Sequence, residues 1–71
     1  MSDEKDLEQI MDALKEESKE YHSLLLAVEY EGYTFGEIAE SMGKSADAVR
    51  VQYGRARAKL SEISLQIKQR G

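Results

Sequence analysis

Residues 34–60, TFGEIAESMGKSADAVRVQYGRARAKL, read as two helices with a tight bend between them. Phe35, Ile38, Ala39 and Met42 stand at i, i+3, i+4 and i+7, which lays one apolar stripe along the first helix. Thr34 precedes that stripe and Glu37 follows three residues on, the capping-box pattern in which hydroxyl and carboxylate each satisfy a backbone N–H that the helix leaves unpaired. Gly43 falls just past the last apolar position, where a left-handed residue costs little only for glycine. Ser45 then offers a new N-cap, and Asp47 sits in the first turn that follows, where the helix dipole favours an anion. Beyond it Val49, Tyr53, Ala56, Leu60, Ile63 and Ile67 recur at steps of four and three, the mark of one long amphipathic helix. Two capped helices joined through a short glycine-containing bend predict a helix-turn-helix, whose second helix enters the major groove of DNA.

The rest of the chain is helical by the same criterion. Leu7, Ile10, Met11 and Leu14 predict a first helix over about residues 4–16, preceded by a polar and frayed start at residues 1–5. Ser18 reads as the N-cap of a second helix over residues 19–31, with Glu20 in its first turn and Gly32 ending it. Tyr21, Leu24, Leu25 and Val28 form its stripe, and Leu26 and Ala27 widen it, as suits a helix packed on more than one side. Helices at 35–42 and 46–68 complete the expectation: one domain over residues 1–71, all-α, a four-helix bundle-like fold with a helix-turn-helix and a long C-terminal recognition helix. Phe35 and Ile38 are expected in the core, and Tyr30, Tyr33 and Tyr53 in the core or at its rim.

Composition narrows the function classes. With no Cys, there is no disulfide, no thiol chemistry and no Cys-ligated zinc. No apolar run approaches the roughly 20 residues of a membrane span, and no signal peptide opens the chain, so a cytoplasmic protein away from membranes is expected. His22 is the sole histidine and has no ligand partner at helical spacing, so no metal and no cofactor are expected. Nor is there a Ser-His-Asp arrangement or a phosphate-cradling glycine loop, and the Glu16-Glu17 pair lies on a solvated helix, so no enzyme activity is expected.

The net charge of −4 argues against a nucleic-acid partner until its distribution is read. Residues 1–43 hold three Lys against twelve Asp and Glu, a net charge of −9, whereas residues 44–71 hold seven Lys and Arg against Asp47 and Glu62, a net of +5. The asymmetry suits contact of the basic half with a polyanion, or a basic helix paired with the acidic helices of its own domain. On a wheel of about 100° per residue, Val49, Tyr53 and Ala56 face the core. The other side collects Asp47, Arg50, Val51, Gly54 and Ala58, with Arg55 and Arg57 on its flanks. Base edges are then the expected partners of Asp47, Arg50, Val51 and Gly54: Arg50 for a guanine, Val51 for a thymine methyl, Asp47 for a cytosine amino group, Gly54 for close approach. Phosphates are the expected partners of Thr34, Lys44, Ser45, Arg55, Arg57 and Lys59, the first three because they lie at helix starts. In the competing arrangement Arg55 pairs with an acid of the first two helices and Lys59 with Glu62. Ile63 and Ile67 either cover the N-terminal helix or form a dimer seam; a monomer is favoured.

The run LLLAVEYEGYTFGEIAESMGKSADAVRVQYGRARAKL resembles region 4, the C-terminal DNA-binding region, of bacterial sigma factors, most closely the extracytoplasmic-function type. The matching residues are Glu31-Gly32, Thr34, Glu37-Ile38-Ala39-Glu40, Met42-Gly43, Ser45, Val49-Arg50 and Arg55-Ala56-Arg57-Ala58-Lys59-Leu60. The resemblance covers about residues 7–62. It implies double-stranded DNA as a partner through the promoter −35 element, and docking on the flap of RNA polymerase core. Asp47-Ala48 and Val51-Gln52 depart from the family pattern and make the reading surface less basic than usual, so the preferred DNA sequence does not carry over. Region 2, the family's −10 reader, has no counterpart in the chain, which suits either an excised domain or a small stand-alone protein. The alternative function is a protein-interaction module that binds RNA polymerase or an anti-sigma factor, with little DNA binding of its own.

Overall fold

A computed structural model describes the backbone of residues 3–70 and the side chains of residues 6–68. The described residues form four helices: α1 (Asp3–Glu17), α2 (Lys19–Glu29), α3 (Phe35–Met42) and α4 (Ala46–Arg70). No strand occurs among them. Met1 and Ser2, part of the frayed start read from the sequence, lie outside the described residues, whereas Asp3, Glu4 and Lys5 are helical.

Each helix boundary has a local cause. Ser18 is extended, and its Oγ accepts from the Tyr21 N–H at 3.2 Å, which starts α2 one residue after α1 stops. Thr34 and Glu37 form the reciprocal capping box: the Glu37 N–H donates to Thr34 Oγ1 at 3.1 Å, and the Thr34 N–H to Glu37 Oε1 at 2.9 Å. Gly43 takes φ +69° and closes α3 in a Schellman motif, with the Lys44 N–H on the Ala39 carbonyl and the Gly43 N–H on that of Glu40. The Ala48 N–H donates to Ser45 Oγ at 3.1 Å and opens α4. The end of α2 differs from the sequence expectation. It stops at Glu29, two residues short of Glu31, because the backbone widens there: Glu31 N–H reaches back to Leu26 and Tyr33 N–H to Ala27, before Gly32 turns the chain at φ +77°.

The helices enclose two apolar clusters. Ile10 and Leu14 of α1, Leu25 of α2, and Ala56 and Ile63 of α4 form the first. Leu24 of α2, Ile38 and Ala39 of α3, and Val49 of α4 form the second. Tyr53 is half-buried and packs against both, so one ring on α4 joins the N-terminal helix pair to the helix-turn-helix. Ile63 is buried and Ile67 packs beside it against α1, which is the covering role of the two readings given for that seam.

Three expectations about burial need correction. Met42 continues the periodicity of α3 but stands 43 % exposed, because it is the last residue of α3 and borders an open groove beside Leu24 of α2, whereas Ala39 one turn earlier is buried. Tyr30 and Tyr33 are exposed, since both follow the end of α2 rather than lying on a packed face. Phe35 is half-buried at the edge of the second cluster, its ring tilted against that of Tyr53.

Candidate nucleic-acid interface

The Schellman turn at Gly43 and the Ser45 cap set the start of α4 directly after α3, and Val49 anchors it as a fully buried side chain. With Val49, Ala56 and Ile63 inward, helical geometry sends Asp47, Arg50, Val51, Gly54 and Arg55 outward, and all five are exposed. The Val51 side chain is apolar and 52 % exposed, an apolar contact offered to solvent in the middle of a polar face. Among the described residues no side chain stands within 4 Å of where a Cβ on Gly54 would lie, so the helix backbone is bare there.

Arg50 donates to Asp47 at 3.2 Å across one turn, with side chains 66 % and 87 % exposed. A guanidinium has five N–H donors, so this bond orients Arg50 and leaves the outer edge of its fork available. On the neighbouring flank Lys44, Ala48, Val51, Gln52 and Arg55 line a shallow depression with Glu20 and Tyr21 of α2. Within it Lys44 donates to Gln52 Oε1 at 3.4 Å, and Gln52 donates in turn to Glu20 Oε2 at 3.4 Å. The Arg55 guanidinium makes no ion pair among the described residues. Thr34 and Ser45 use their hydroxyl oxygens as cap acceptors, which leaves each hydroxyl proton able to donate outward.

The two remaining basic positions are engaged inside the molecule. Arg57 Nη1 lies 2.7 Å from Glu29 Oε2 at the end of α2, and Tyr53 donates to that same oxygen at 3.1 Å. Lys59 Nζ lies 2.9 Å from Glu17 at the end of α1 and 3.9 Å from Glu62. Hydrogen bonding and charge attraction from Glu29 raise the Arg57 pKa, and those from Glu17 raise that of Lys59. Burial, followed by the bond to Glu29, pushes the Tyr53 phenol up. The pairing of Lys59 with Glu62 follows the i, i+3 spacing, but the arginine that meets an acid of the first two helices is Arg57, not Arg55. Glu17, Glu20 and Glu29 were not legible as parts of this surface. Their partners lie far along the chain, and only the wide apolar stripe of α2 hinted that α4 packs beside it.

Among the described residues no group of His, Asp and Glu is arranged to hold a metal ion, and no helix is long and apolar enough to cross a membrane. Residues 7–60 match the family model described as Sigma-70, region 4. No curated protein and no solved structure matches the chain.

Proposed function

The chain belongs to the sigma-70 region 4 family, a family of non-enzymatic DNA-binding domains in transcription initiation, and from that membership we propose that it reads a promoter −35 element. The N-terminal turns of α4 enter the major groove in this reading. Arg50 reaches a guanine, Val51 a thymine methyl and Asp47 a cytosine amino group, while Gly54 lets the backbone come close. Lys44, Arg55 and the hydroxyls of Thr34 and Ser45 hold the flanking phosphates, while Arg57 and Lys59, further along the same helix, are paired with Glu29 and Glu17. The observation that carries the reading is the outward face of α4. There Arg50 and Asp47 are held to each other in solvent, beside an exposed Val51 and an Arg55 without an ion pair among the described residues. The domain acts as an extracytoplasmic-function type region 4, in the cytoplasm, as a monomer on duplex DNA and docked on the flap of RNA polymerase core, with an anti-sigma factor as a further partner.

Binding to duplexes of randomised sequence, followed by selection and titration, tests this. Arg50→Ala is expected to cost about 1–3 kcal/mol at a single base pair and to relax preference there. Equal losses on every sequence would make Arg50 a phosphate contact. With Lys44 and Arg55 as the cationic phosphate contacts, the affinity falls by about two decades per decade of salt. No duplex binding at low salt, together with retained binding to polymerase, would leave a protein-interaction module instead.

A further inference from the structure

Resting on the duplex-binding reading above, we propose that Glu29 is a carboxylate that limits the DNA footprint: it withholds Arg57 from phosphate and confines contact to the N-terminal turns of α4. Arg57 follows Arg50 by seven residues, about two helical turns, so it lies on the same flank and extends the row that Arg50 begins. Its side chain is 53 % exposed, but one edge of the guanidinium is committed to a carboxylate of another helix. Its guanidinium bonds at 2.7 Å to an oxygen that also accepts from Tyr53 at 3.1 Å. The Tyr53 ring is held by both apolar clusters and by Phe35, so the acceptor is positioned by packed structure rather than by a freely moving surface carboxylate.

On the opposite flank the same thing recurs. Glu17 holds Lys59 at 2.9 Å, and Glu20 accepts from Gln52 at 3.4 Å. Three carboxylates from the two N-terminal helices thus straddle the middle of α4. Lys44, Arg50 and Arg55, by contrast, have no bond to a carboxylate of another helix among the described residues. The Arg57–Glu29 pair is itself well wetted, with side chains 53 % and 38 % exposed, so the fold depends little on it. Its consequence falls on binding. An arriving phosphate must displace a pre-placed carboxylate and then sit beside its charge.

The experiment compares the full chain with Glu29→Gln, Glu31→Gln, Arg57→Gln and the Glu29→Gln/Arg57→Gln pair, each titrated with one duplex from 50 to 200 mM salt. In Glu29→Gln the amide oxygen still accepts from Tyr53, and thermal unfolding followed by circular dichroism confirms that each variant folds. Glu31 is exposed and has no ion pair among the described residues, so its variant removes an equal charge without freeing a cation. Glu29→Gln is expected to bind more tightly at low salt and to gain one phosphate contact, an extra fall of about threefold in affinity across that salt range. Glu31→Gln is expected to leave the salt slope unchanged, and Arg57→Gln to abolish the gain from Glu29→Gln. An unchanged slope in Glu29→Gln, with the parent chain binding normally, overturns this inference and leaves the duplex-binding reading standing. A gain that persists without Arg57, or that Glu31→Gln reproduces, also overturns it, as a bulk charge effect. Binding by Glu29→Gln alone supports it in its strongest form. Failure of every chain to bind at 50 mM overturns both.

Discussion

The rings of Phe35 and Tyr53 lie 5.4 Å apart and are inclined by 52°, a tilted contact that ties the first residue of α3 to the N-terminal third of α4. Tyr53 also packs against both apolar clusters, so it couples the helix-turn-helix to the helices that support it. Tyr53→Ala is expected to destabilise the domain by about 3 kcal/mol, the low end for a buried aromatic since the ring is half-exposed. Tyr53→Phe keeps the ring and loses the bond to Glu29, for about 1 kcal/mol at most. Urea denaturation checks both. A larger loss in Tyr53→Phe than in Tyr53→Ala would mean that the hydroxyl, not the packing, joins the two halves.

The caps are expected to carry measurable stability because each side-chain oxygen satisfies a backbone N–H that the helix leaves unpaired. Ser18→Ala, Thr34→Ala and Ser45→Ala should each cost about 1 kcal/mol. Thr34 and Glu37 satisfy each other's N–H groups, so a double-mutant cycle between them should show coupling of at least about 0.5 kcal/mol. Strict additivity would count against the capping box as a unit in solution.

Gly54 separates folding from binding. Its surroundings are open and its helix continues on both sides, so Gly54→Ala should stabilise the fold by about 1 kcal/mol. If the backbone there approaches DNA, the same variant should bind duplex more weakly than the parent. Greater stability with undiminished affinity would show that no base pair comes close to that position.

Alkaline pH is expected to loosen the structure in a defined order. Tyr53, Lys59 and Arg57 all have pKa values raised in the folded state. A raised folded-state value contributes stability that is complete below the unfolded value and disappears as pH rises through the folded one. The unfolded tyrosine and lysine titrate near pH 10 to 10.5, so the melting temperature should hold to about pH 9.5 and then decline. Tyr53→Phe should flatten the first part of that decline, measured by thermal unfolding from pH 8 to 11.

Leu14 shows how little margin a domain of this size has. Its side chain has no exposed surface and lies where α1, α2 and α4 meet. Leu14→Ala is expected to cost about 3–5 kcal/mol, against a total of about 4–10 kcal/mol for a domain of this length. Circular dichroism should therefore show a partly unfolded population at 37 °C, and a variant that melts within a few degrees of the parent would contradict the packing described.

What the amino-acid sequence determined by itself is the local part. The Thr34–Glu37 box, the glycine turn at Gly43, the Ser18 and Ser45 caps and the apolar seam of α4 all arise between residues three or four apart, where helix geometry makes partners of near neighbours. The family likeness draws on several of them, Thr34, Glu37, Gly43, Ser45 and Val49. Tertiary structure alone decided which polar groups of α4 are tied to the supporting helices. Glu29 lies 28 residues from Arg57 and Glu20 lies 32 from Gln52, and the angle at which α2 crosses α4 selects those partners. Sequence periodicity likewise placed Met42 on the apolar stripe of α3, but burial needs a second surface at close range, and the helices that cover Ala39 leave the groove beside Met42 and Leu24 open.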